Sequence, residues 1–91
     1  MDSHTARIER VHRKGLDAVA VSLTVSPAGE GRQRWSGEFL SRSTDGILPD
    51  ERLTLTLDSG LRGTARVFET QCSSRTPDVT LVFFTGMSPL E

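Results

Sequence analysis

The stretch "RLTLTLDSGLRGTARV" leaves a chain little conformational choice. Leu53, Leu55 and Leu57 alternate with Thr54 and Thr56 before Asp58-Ser59-Gly60 interrupts; Leu61, Gly63, Ala65 and Val67 then alternate with Arg62, Thr64 and Arg66. A two-residue period sends every second side chain to the same face of an extended strand. A three-residue interruption ending in Gly fits a type I turn followed by a left-handed residue, so a β-hairpin is expected here. The same period recurs elsewhere. Val19, Val21, Leu23 and Val25 alternate with small or polar residues, and Trp35, Gly37 and Phe39 share one face of "RQRWSGEFL". In "VTLVFF", Val79, Leu81 and Phe83 oppose Thr80, Val82 and Phe84.

"SPAGEGR" (26–32) and "QCSSRTPD" (71–78) concentrate turn residues and are expected to be loops. No long amphipathic helix separates the strands. The expected class is therefore all-β: a small antiparallel barrel of five to six strands, closed so that no sheet edge is left exposed, with a compact sandwich as the alternative. Residues 16–89 are assigned to this single domain. Residues 1–15 carry Arg7, Arg10, Arg13 and Lys14 but little apolar area, and are expected to form a flexible basic arm. Leu90-Glu91 reads as a cloning scar.

Composition narrows the function classes. In 91 residues, 11 basic side chains oppose 12 acidic ones for a net charge of -1, so no overall field favours DNA, RNA or an anionic membrane, and an anion site must be local. Lys14 is the one lysine, and arginine suits planar, paired contacts to phosphate or base edges. Cys72 is the one cysteine, so no internal disulfide forms and a reducing, cytoplasmic setting is expected. The apolar runs are too short to span a bilayer as a helix.

Catalytic and metal signatures are absent from the letters. No Ser sits in a nucleophile elbow, and His4, His12 and Cys72 do not stand at metal-ligand spacing; an enzyme is not expected, nor a cofactor. Trp35, Phe68, Phe83 and Phe84 fall at strand positions and are assigned to the core.

The stretch "FLSRSTDGIL" (39–48) carries the candidate site. Ser41, Ser43 and Gly46 stand at relative positions 1, 3 and 6, and Arg10 and Lys14 are four apart upstream of the first alternating segment. This arrangement resembles the PilZ domain, a bacterial signalling barrel whose pattern is Arg-x-x-x-Arg followed by Asp/Asn-x-Ser-x-x-Gly. Arg10, Ser43 and Gly46 match; Lys14 stands where the second Arg belongs, and Ser41 replaces the Asp or Asn. The central hairpin and "VTLVFFTGMSP" look like the family's later strands. The resemblance implies cyclic di-GMP as ligand, with Arg10, Arg13 and Lys14 on phosphate and base, Ser41 and Ser43 on a base edge, and Gly46 allowing close approach. Its departures imply an impaired site, because Lys has no planar fork and Ser no planar acceptor. The alternative is a barrel that binds no nucleotide and docks a protein partner through its surface.

Overall fold

A computed structural model of the chain describes residues 2–11, 13–27 and 33–91. Its strands are β1 (Asp2–Arg10), β2 (Leu16–Pro27), β3 (Gln33–Arg42), β4 (Arg52–Leu57), β5 (Arg62–Ser73) and β6 (Thr76–Gly86), with a 3-10 turn at Ser43–Asp45. All neighbouring pairs are antiparallel, and the order β1-β2-β3-β6-β5-β4 closes into a barrel. The all-β barrel expected from the alternation is the observed architecture, with six strands. Among the described residues no helix is long and apolar enough to cross a membrane.

Four connections join neighbouring strands. The fifth, residues 43–51, leaves β3 and enters β4, which lies between β1 and β5. This crossover spans one mouth of the barrel and drops Ile47 into the core. Its 3-10 turn ends at Gly46, whose φ of 64° is the left-handed conformation that glycine adopts without steric cost.

The expected arm is corrected. Residues 2–10 are β1, which pairs with β2 from Asp2↔Leu23 to Ile8↔Leu16 and with β4 from Ala6↔Leu57 to Arg10↔Leu53. Ala6 and Ile8 are buried, while Thr5, Arg7 and Glu9 face solvent. Two apolar side chains of modest size among charges do not announce a strand, yet they suffice where β2 and β4 both lack a partner. Opposite this strand, β2 bulges: Asp17 and Ala18 face the single residue Arg7, with Ala18 at φ 53°.

The hairpin at Asp58–Gly60 forms as expected, with Leu57 N–H donating to Leu61 O (2.8 Å) and Gly60 at φ 94°. The loop expected over 71–78 contracts to a turn at Ser74-Arg75, since β5 runs to Ser73 and β6 begins at Thr76. The larger part of the 26–32 loop and His12 lie outside the described residues.

Inward side chains follow the alternation: Val21 and Leu23 from β2, Trp35 and Phe39 from β3, Leu53, Leu55 and Leu57 from β4, Ala65 and Val67 from β5, Val82 and Phe84 from β6. Phe84 holds the middle, with its ring 6.0 Å from both Trp35 and Phe39. Gly37 makes room for it; a Cβ there would stand 2.8 Å from Phe84 Cζ. Phe68 departs from its core assignment. It follows inward Val67 and so falls with Arg66 on the outer face, at the bulge between Val67 and Glu69. There it is 53% exposed and packs on Phe83, which is likewise outside the core, half-buried and alternating with inward Val82 and Phe84.

Residues 87–91 close the opposite mouth. Trp35 Nε1 donates to Ser88 O (2.7 Å), Met87 N–H to Thr64 O (2.8 Å), and the Glu91 and Arg62 backbones exchange hydrogen bonds of 2.8 and 3.0 Å. Leu90, set aside from the domain on sequence, packs against the core beside Gly63. Gly86 lies under the Trp35 indole, where any Cβ would overlap the ring. Gly86→Ala is expected to lower stability by about 1–3 kcal/mol, read from urea unfolding followed by the fluorescence of Trp35; an unchanged midpoint would refute this account of the packing.

Candidate ligand cleft

The turn after β1 and the end of β3 lie side by side because β2 pairs with both strands. Between them opens a cleft of about 860 Å³, bordered by Arg10, Arg13 and Lys14 on one side, Ala18 and Ala20 of β2 along its floor, and the 40–45 segment opposite. The bulge at Asp17-Ala18 widens β2 here, and Arg7 Nε holds the bulged Asp17 carboxylate at 3.3 Å.

Arg10, Arg13, Lys14 and Ser41 border this cleft, whereas Ser43 and Gly46 do not. Their chemical situations differ. The Arg10 side chain is only 4% exposed, and its guanidinium points at the crossover. Nε and Nη2 donate to the Glu51 carboxylate at 2.6 and 3.2 Å, Nη1 donates to Asp45 O at 2.7 Å, and Nη2 also reaches Gly46 O at 3.4 Å. With most of its five N–H donors engaged inside the protein, Arg10 anchors the crossover. Glu51 in turn accepts the Leu48 N–H (3.1 Å), and its own backbone carbonyl accepts the Val67 N–H.

Ser41 is buried, with its Oγ 3.5 Å from Thr80 O. Ser43 Oγ donates to Pro77 O (2.7 Å) and shares a 3.0 Å hydrogen bond with Thr80 Oγ1, tying the 3-10 turn to the start of β6. Cys72 Sγ joins the same group 3.2 Å from Thr80 Oγ1. Gly46 lies beneath Arg13, since a Cβ there would stand 3.5 Å from Arg13 Nη1.

Arg13, Lys14 and Arg42 are exposed and enter no ion pair among the described residues. Arg42 was not singled out on sequence; it stands inside the quoted motif at an unassigned position, and only the pairing of β3 with β2 brings it to the rim. Asp45 was also missed. Its Oδ2 accepts the Arg42 backbone N–H at 2.9 Å, which orients the carboxylate at the cleft edge. Glu51 had no sequence signal, being 41 residues from Arg10. His4 lies on β1 with Nδ1 3.8 Å from Asp58 Oδ1, and among the described residues no cluster of His, Cys, Asp and Glu is arranged to hold a metal ion.

Compared with family models, curated proteins and solved structures, the chain matches none.

The Arg10 side chain is nearly enclosed and the Glu51 side chain largely so. Besides Arg10 the Glu51 carboxylate has the Leu48 N–H as its partner, so removing Arg10 leaves that carboxylate without its cation. Arg10→Ala is expected to cost roughly 3–5 kcal/mol, whereas Arg10→Met combined with Glu51→Leu should recover most of that loss. Equal destabilisation by the single and double variants in chemical denaturation would show that the charge pair is not what holds the crossover.

Proposed function

We propose that this chain is a small non-catalytic binding module that takes a phosphate-bearing ligand with flat bases, of the cyclic di-GMP class, in the cleft between the β1–β2 turn and the end of β3. The observation that supports this reading is the gathering of three exposed cations, Arg13, Lys14 and Arg42, around a floor of Ala18 and Ala20 beside exposed Leu40. Cations on the rim suit phosphate, and a shallow apolar floor suits the face of a base. Local charge supplies what the chain's net charge of -1 does not.

The division of labour differs from the one the PilZ resemblance implies. Arg13 and Lys14 carry the phosphate contacts, Arg42 reaches from the opposite rim, and Arg10 acts through the crossover. The base-edge role passes from Ser41 and Ser43, which are turned to Thr80 and Pro77, to the Asp45 carboxylate, which has one oxygen not used by the Arg42 N–H. A carboxylate oxygen is a fitting acceptor for the donors on the Watson–Crick edge of guanine.

Titration of backbone amides by NMR with cyclic di-GMP, with GTP as the control for general anion attraction, tests this reading. Saturable shifts confined to residues 13–20 and 40–46 are expected, absent with GTP. Arg13→Ala and Lys14→Ala should each weaken binding roughly tenfold or more, and Ser43→Ala should leave it within a few-fold. An absence of saturable shifts, or equal shifts with GTP, would overturn the nucleotide reading and favour a module that docks protein.

A further inference from the structure

The outer face of β3, β6 and β5 carries an apolar stripe that the core does not use. Leu40 on β3 is 62% exposed and pairs with Leu81 on β6. One step along the strands Phe83 lies beside Glu38, with outward Phe68 against it; one step the other way Val79 lies beside Arg42. These positions alternate with the buried Phe39, Ser41, Thr80, Val82 and Phe84, so they stand together on the outside. Contiguous apolar surface of this kind on a small domain marks a contact face.

The charges around the stripe identify its occupant. Along β3 the outward order is Glu38, Leu40, Arg42, an acid and a base placed symmetrically about an apolar residue. Neither Glu38 nor Arg42 enters an ion pair among the described residues. Consider a two-fold axis lying in the plane of contact, across the strands at the level of Leu40 and Leu81. It sets β3 against β3 of a second copy in the opposite direction: Leu40 meets Leu40, Leu81 meets Leu81, Val79 meets Phe83, and Arg42 of each copy faces Glu38 of the other. The face is complementary to itself in both charge and apolar content, as an isologous interface requires.

We infer that this face associates with a second copy of the same chain, forming a two-fold dimer centred on Leu40 and Leu81 and closed at its edge by two Glu38–Arg42 pairs. The outside of a barrel is convex, so the contact is modest in area and the dimer reversible. Arg42 also stands on the rim of the cleft, but the pairing involves no ligand and does not depend on what the cleft takes.

Sedimentation equilibrium of the ligand-free protein, with circular dichroism as a check on folding, tests the inference. A monomer–dimer equilibrium is expected for the unaltered chain. Glu38→Arg and Arg42→Glu, both at the surface, should each weaken it about tenfold or more by turning attraction into repulsion. The double variant should associate within a few-fold of the unaltered chain, and an equimolar mixture of the two single variants should do so as well, because each then offers the charge the other lacks. A chain that is monomeric at about 1 mM, single variants that associate normally, or charge reversals that fail to rescue one another would each overturn the proposal. Because no nucleotide is present, that failure is separate from failure of the ligand reading.

Discussion

The buried contact between Arg10 and Glu51 ties together the parts of the barrel that hairpins do not. One connection, residues 43–51, does not join neighbouring strands and passes from β3 over the mouth to β4. The guanidinium at the end of β1 binds its carboxylate and two of its carbonyls together. Register explains the meeting: Arg10 pairs with Leu53, and Glu51 lies two residues before it on the same chain. Such a pair is costly to desolvate, so its contribution lies less in net stability than in selecting one path for the crossover. Ile47 supplies the complementary apolar anchor by filling the mouth from above.

The cleft is a consequence of that arrangement. Because Arg10 turns inward to the crossover, the next cations along the turn, Arg13 and Lys14, are left at the surface facing the end of β3. The β2 bulge sets Ala18 and Ala20 as a shallow floor, and the Asp45 carboxylate, accepting the Arg42 backbone N–H, lies on the far side. The outer face of β3 therefore borders two surfaces at once: the cleft on its β2 side and the apolar stripe on its β6 side, with Leu40 and Arg42 common to both.

Much of the fold was legible where the hydrophobic period was strong. The leucine–threonine alternation and the Asp-Ser-Gly turn define β4 and β5 as a hairpin in the letters and in space. Where the period weakened, the reading failed for identifiable reasons. β1 offers only Ala6 and Ile8 to the core, and its charged outer face imitates a solvated arm. Phe68 looked like core because aromatics on strands usually are, yet it stands one residue after inward Val67, so the two-residue period places it with Arg66 on the outer face. Of the proposed site residues, Arg10, Arg13, Lys14 and Ser41 come to one cleft, yet spacing could not show that Arg10 is spent on Glu51 or that Ser43 is spent on Pro77.

By itself the sequence determined the class of the fold, the strands with a clean two-residue period, the tight hairpin and the aromatic core around Trp35, because each rests on contacts between near neighbours or on simple burial. Tertiary structure decided the recruitment of β1, the course of the crossover, the partner of Arg10 and the assembly of Arg13, Lys14, Arg42 and Asp45 around one cleft. Those outcomes depend on which strands pair and in what register, and a shift of one residue in a β-ladder exchanges the inner and outer faces of a strand. No local pattern contains that choice; it is made by the closure of the whole barrel.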